Sequence, residues 1–492
     1  MSISGFNRAK SVKYSVFPLL IILFFTIELS AQNIFDAIRY SQIGTGKDAW
    51  SSALPGRGVS QYAGSGTFMD NPAAAAFAEN SHVDFSLVFI NAQSEGQFLG
   101  NNFDNSNGRP AIGNLHYSYK YPTNKGSLVI GGGYNRVALF DRYLNAAGFN
   151  DTHSITDLFA QDDYYYNAAF NTFAIDTLQG GFPESALRID GFRGIDQYVE
   201  VIEQGQMGEW SLYSALEFRE NFMVGISVGY QTGTYNYRRN FNEIDTENAY
   251  NFNVTDYDID FIQTSDHIDT DLGGLMVRLG AAYKLGFLQL GGSIELPSML
   301  QIREDYSTEI TTIFDREETS EPTQRFDNSF EYQINRPVRY KLGATLTPSP
   351  AFALSAAYEY MDYSNIEFDG LQSFRLENEL SLAVTNALRG ASNYHVSASY
   401  NVPDSYELRA GYSIIQSAER DFDLTEQEIF SLGAGIDLYQ GWQMNFSIIG
   451  NRFQDVYTAY EAFVTGDPTL YALQATESIW RSQIFVGFNY SF

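Results

Sequence analysis

From Ser478 to Phe492 apolar and polar residues alternate along the chain. Trp480, Ile484, Val486, Phe488, Tyr490 and Phe492 share one parity, and Arg481, Gln483, Gly487, Asn489 and Ser491 share the other. Successive side chains of a strand point to opposite faces, so the segment predicts a strand with one greasy, aromatic face and one mostly polar face. The same alternation returns in runs that begin at His82. They cover 83–89, 115–121, 128–134, 210–218, 222–230, 275–283, 288–296, 338–346, 352–360, 394–400, 408–414, 430–438 and 442–448. With the terminal run this makes about fourteen strands, an even number, as single-chain bacterial outer-membrane barrels have.

The connections alternate as well. Short ones fall at 122–126, 219–221, Gly286, 348–350, 403–404 and 440–441, and long ones at 91–111, 141–207, 236–268, 303–330, 362–391, 416–427 and 453–477. Short periplasmic turns and long outer loops are the habit of membrane barrels, and an aromatic at the end of the apolar face fits the same class. The predicted fold is therefore all-β, an antiparallel transmembrane β-barrel of about fourteen strands. A closed sheet leaves no unpaired edge in hydrocarbon. Its polar parity faces the lumen, with His116, Ser118 and Lys120 on one strand and Gln443, Asn445 and Ser447 on another.

The two ends and the composition narrow the class. Arg8, Lys10 and Lys13 precede an apolar run from Val16 to Leu29, and Ser30-Ala31 offers a small-residue cleavage site. This pattern predicts a secretory signal peptide over residues 1–31. Residues 32–80 do not alternate, and the barrel is expected over 81–492. The net charge is −29, which disfavours nucleic acid as a partner because phosphates call for Lys and Arg. With no cysteine there is no disulfide, thiolate metal site or Cys nucleophile. Mean hydropathy is −0.23, too polar for a helical membrane protein but compatible with strands of which only alternate residues meet lipid.

Several motifs, taken in order, resemble the FadL/TodX/OmpP1 family of outer-membrane transporters for hydrophobic compounds. Met69-Asp70-Asn71-Pro72-Ala73 is similar to that family's Asn-Pro-Ala signature. Tyr340-Lys341-Leu342-Gly343 with Ala357-Tyr358-Glu359-Tyr360 is similar to its paired strands. Glu407-Leu408-Arg409-Ala410-Gly411-Tyr412-Ser413 and Phe430-Ser431-Leu432-Gly433-Ala434-Gly435 resemble two later ones. The resemblance implies that residues 32–80 form a hatch that plugs the lumen, with Asn71, Pro72 and Ala73 as its motif. It also implies that ligand is caught among outer loops, passes to an internal pocket and leaves sideways at a kink in the third strand. Gly131, Gly132 and Gly133 lie mid-way along that strand and permit a bend.

For a fatty acid the site needs an apolar tube and a cation for the carboxylate. Lumen-parity candidates are Arg278, Arg339, Lys341, Arg409 and Arg481, unless Glu295, Glu359 and Glu407 neutralise them. Aromatics of the 141–207 loop (Phe159, Tyr164, Tyr165, Tyr166, Phe170, Phe173) are either a greasy capture patch or part of a folded cover. His395 and Ser397 share a face like a nucleophile pair but lie on the polar parity, away from lipid, so no enzyme activity is expected. His82, His116, His153 and His267 show no metal-ligand spacing, so no metal site and no cofactor are expected. The expectation is a monomer in the outer membrane of a Gram-negative bacterium, its termini periplasmic and its long loops extracellular. Its partners would be a hydrophobic small molecule, membrane lipid, lipopolysaccharide and the barrel-assembly machinery. It would take up long-chain fatty acids or aromatic hydrocarbons passively. A protein-binding adaptor or shuttle for surface secretion, and a structural or receptor barrel, remain the alternatives.

Overall fold

A computed structural model describes residues 34–492 apart from 45–46, 178–180, 190, 251–257, 316–321, 372, 404, 421–424 and 465–469. The leader expected over residues 1–31 lies outside the described residues. Alternation and β-branched or aromatic content produce long strands, each antiparallel to its neighbours. In chain order they are β1 (His82–Phe98), β2 (Asn101–Lys120), β3 in two pieces (Leu128–Leu139 and Arg142–Asn150), β4 (Ile195–Arg219), β5 (Phe222–Ile244) and β6 (Ile259–Leu285). Then follow β7 in two pieces (Leu288–Glu295 and Ser298–Phe314), β8 in two pieces (Thr323–Arg336 and Arg339–Ser349), β9 (Phe352–Asp362) and β10 (Gly390–Val402). The last four are β11 (Tyr406–Ile415), β12 (Gln427–Asp437), β13 (Trp442–Val464) and β14 (Leu470–Ser491). β1 pairs with β14 from His82 against Ser491 to Gln97 against Thr476, which closes the sheet into a 14-strand barrel. Every run read from alternation falls on one of these strands, to within one residue at its ends.

Burial is inverted relative to a water-soluble protein. Leu212, Leu432 and Leu342 point outward and are 74%, 64% and 62% exposed, while Asn114, Glu209 and Arg278 point inward and are buried. No described helix is long and apolar enough to cross a membrane.

Most of the long connections expected from the sequence prove to be strand. β1 and β2 run on through 91–111 to a tight turn at Leu99-Gly100, both with positive φ. Extensions of the same kind fill much of 303–330 and 453–477. Alternation is invisible there because beyond the hydrocarbon neither face must be greasy, as in Asn101–Arg109. The described residues of 141–207 fold over the end of the barrel opposite His82 and Ser491. It contains the second piece of β3 and helices Ile155–Phe159, Asp163–Asn171 and Ala186–Ile189. Ser154 starts the first helix through a capping box with Asp157. Phe159 and Tyr165 are buried in a local core with Leu144, Val199 and Phe241, so these two rings face inward; Phe170 stays 39% exposed.

If the outward face meets lipid, Leu212→Arg will destabilise the folded barrel by about 2–4 kcal/mol in bilayers near the midplane. Equilibrium refolding into vesicles measures this, and a water-facing position would change by no more than about 0.5 kcal/mol.

Candidate functional site

Described residues of the N-terminal segment pack against the inner face of the wall. Short turns Ser51–Ala53 and Arg57–Val59 and helix Thr67–Asp70 lead to a 3-10 turn, Pro72–Phe77. Asn71 starts that turn by accepting from Ala73 N at 3.0 Å. Its amide donates to Val59 O at 2.6 Å and to Ala281 O on β6 at 3.0 Å. The wall makes room with glycine. A Cβ on Gly280 would sit 1.9 Å from Asn71 Oδ1, and one on Gly291 would sit 1.8 Å from Val59 O. Asp70 anchors the segment through ion pairs with Lys47 and with Lys341, the latter at 2.9 Å. Burial favours the neutral acid, but Lys341 and Lys47 outweigh it and hold the Asp70 carboxyl well below the usual carboxylate range.

The five cations picked from the sequence separate into two groups. Arg278 bonds Glu209 and Glu295, with Nε 2.8 Å from Glu295. Lys341 joins Asp70 and Glu359, and Arg409 lies 2.7 Å from Glu407 with its guanidinium over Trp50. Arg339 reaches Glu359 at 3.3 Å and Ser41 O at 2.6 Å. All four are paired with acids; Arg339, Lys341 and Arg409 also touch the N-terminal segment, whereas Arg278 is paired wholly within the wall. Arg481 makes no ion pair among the described residues and lies over Phe453 at 5.1 Å. His395 bonds Ser413 at 2.8 Å rather than Ser397.

Gly131, Gly132 and Gly133 lie in the fully paired part of β3, opposite Ser118, Tyr117 and His116 on β2 and Tyr213, Leu212 and Ser211 on β4. A Cβ on Gly131 would fall 2.5 Å from the Tyr213 hydroxyl oxygen, so this glycine serves close packing of that ring. The ladder between β2 and β3 ends just beyond, at Asn114 against Asn135. Outward of that point β3 makes a bulge at Arg136–Ala138 against β4 and breaks between Leu139 and Arg142. Contacts with β2 then pass through side chains: Arg109 to Asp141 at 2.6 Å, and the Asn105 and Asn101 amides to Asn145 O and Ala147 O. Gly44 N, from the N-terminal segment, donates to Val137 O at 2.7 Å.

The bulge also redirects Arg136. By parity with Ile130 and Tyr134 it belongs on the lipid face, yet it is turned inward and is 1% exposed. Its Nη2 donates to Gln483 at 2.9 Å, and its Nη1 has no partner. A charged residue at a lipid-parity position was the available sequence signal for this side chain.

A cavity of about 630 Å³ lies inside this stretch. Val137, Ala138, Leu139 and Phe140 of β3 line it, with Phe35, Ile38 and Ile43 of the N-terminal segment and Ile429, Ile449, Phe453 and Ile479 of β12, β13 and β14. Arg136, Arg339 and Arg481 reach it, whereas Arg278, Lys341 and Arg409 do not line it. The size and mostly apolar lining suit a small hydrophobic ligand.

The fold resembles solved FadL/TodX-type barrels. The Pseudomonas putida toluene transporter TodX superposes with a TM-score of 0.54 at 14% identity, over 91% of this chain and 99% of that one. A Pseudomonas aeruginosa FadL homologue gives 0.51 at 12% identity, over 92% and 100%. The CymD monoaromatic hydrocarbon channel gives 0.51 at 13% identity, over 91% and 98%. No family model and no curated protein matches the chain.

Asp70→Asn should loosen the N-terminal segment, read as at least tenfold faster amide exchange across residues 47–73 with the strands unchanged. A carboxylate with a lowered pKa contributes fully above about pH 4 and loses that contribution only as pH falls through the lowered value. Exchange in the wild type, corrected for its intrinsic rate, should therefore be flat from about pH 5 to 8.

Proposed function

We propose that this chain is an outer-membrane channel for passive uptake of hydrophobic small molecules, long-chain fatty acids or aromatic hydrocarbons. Residues 34–80 act as a hatch against axial flow, and the ligand leaves sideways where β3 parts from β2. The observation that carries the reading is the cavity of about 630 Å³ backed by the stretch Arg136–Phe140, which has no ladder partner on β2. A greasy ligand leaving there enters the membrane without crossing water. The solved barrels of this fold include a toluene transporter and a monoaromatic hydrocarbon channel, which supports the reading. Outer-membrane placement, with short turns periplasmic and the folded 141–207 region extracellular, belongs to the same proposal.

Arg136 and Arg481 are the two cavity cations without an ion pair among the described residues, and they suit a ligand carrying one anionic group. Uptake of a labelled long-chain fatty acid and of labelled toluene into vesicles tests the function. Wild type should admit at least one of them well above empty vesicles. If the fatty acid is a substrate, Arg136→Gln with Arg481→Gln should cut its uptake about tenfold or more and spare toluene, since a charge-assisted contact contributes on the order of 1.5–3 kcal/mol. Uptake of neither compound, with folded protein confirmed, would turn attention to the secretion-adaptor and structural readings.

A further inference from the structure

His82 and Asp84 lie two apart on β1 and so share its inner face, and His116 lies directly opposite Asp84 on β2. All three are buried, at 3%, 8% and 2% exposure. Each offers one ligand atom, and these atoms lie within 4.8 Å of one another. Asp84 Oδ2 is 3.3 Å from His116 Nδ1 and 3.8 Å from His82 Nε2. A zinc ion holds its ligands at about 2.0–2.2 Å in a tetrahedron, which sets ligand atoms roughly 3.3 Å apart, so the spacing matches.

The unsatisfied atoms point the same way. Asp84 Oδ2 and both nitrogens of His116 are buried without a hydrogen-bond partner. Such orphans are rare in folded proteins because each costs its desolvation. The groups around them are fixed. Asn114 donates to the other oxygen of Asp84, and the same amide reaches Ser65 at 3.0 Å. The His116 ring packs beside the stacked Phe68–Tyr213 pair and nearly parallel to it, at 5.5 and 5.6 Å from the two rings. Oriented ligands backed by outer hydrogen bonds are how metal sites are held. Tyr62 of the N-terminal segment hydrogen-bonds His82 Nε2 through its hydroxyl at 2.8 Å, a contact the metal would replace.

We propose that His82, Asp84 and His116 bind one divalent transition-metal ion, Zn2+ being best suited to this nitrogen–oxygen set. The ion would join β1 to β2 beside the closing seam, where His82 faces Ser491 and Asp84 faces Asn489 of β14. Spacing along the chain hides the site, because its ligands come from two strands and meet only through their register.

The test is zinc titration of untagged, chelator-treated protein in detergent, with bound metal read by elemental analysis and folding by heat-dependent gel mobility. One zinc per chain is expected, with affinity at least about 100-fold weaker in His116→Gln and in Asp84→Asn. His267→Gln, at a half-buried histidine on β6 outside this cluster, should bind as wild type does. Should one variant misfold, the other and the wild-type stoichiometry still decide. No stoichiometric zinc on folded wild type, or equal affinity in both variants, would overturn the site and leave a plain Asp–His pair.

Discussion

The backbone's need for hydrogen-bond partners in a medium that supplies none governs this molecule. In hydrocarbon each unpaired N–H or C=O costs several kcal/mol, so a spanning sheet must close on itself. The ladder between β1 and β14 makes that closure. Closure then decides what each parity can be: Leu212 and Leu432 face outward, and Glu209, Arg278 and Asn114 line the inside. Lumen charges shielded from water need partners, and residues of the N-terminal segment supply some of them. Asp70, Asn71 and Val59 lie against β6, β7 and β8, and Lys341, Gly280 and Gly291 are shaped to receive them.

Against that background the β2–β3 contact is the informative departure. Beyond Asn114 and Asn135 the backbone ladder gives way to side-chain contacts and to one bond from Gly44. A bulge and an interruption of β3 at Phe140-Asp141 accompany this, and the same bulge brings Arg136 in from the lipid parity. The cavity lies behind this stretch, so the gap in the β2–β3 ladder and the cavity coincide. Ion pairs elsewhere in the lumen serve a different end. Arg278, Arg339, Lys341 and Arg409 are already matched to acids, and releasing one for a ligand would strand a buried charge.

The transmembrane part of the fold was legible because lipid imposes a period of two. Strand runs such as 222–230 and 442–448 therefore announce themselves. Outside the hydrocarbon that constraint lapses, and strands such as Asn101–Arg109 read as loop. The site was harder to read. Lumen parity correctly turned Arg278 and Arg481 inward, but it could not tell a paired cation from an unpaired one, since pairing depends on neighbours fixed by register. Arg136 was missed because a bulge overrides parity. Glycines 131–133 drew attention as a flexible point, whereas in the fold Gly131 accommodates the Tyr213 ring.

The claim that most needs a direct measurement is that ligand leaves through the unpaired stretch of β3. Ala138 lines the cavity there, and Ala138→Trp would fill the exit while leaving the far wall of the cavity intact. Binding of a labelled hydrophobic ligand to purified protein, and its uptake into vesicles, should be measured side by side. The account predicts that uptake falls at least tenfold while binding changes by less than about threefold. Unchanged uptake in a correctly folded Ala138→Trp barrel would contradict a lateral route.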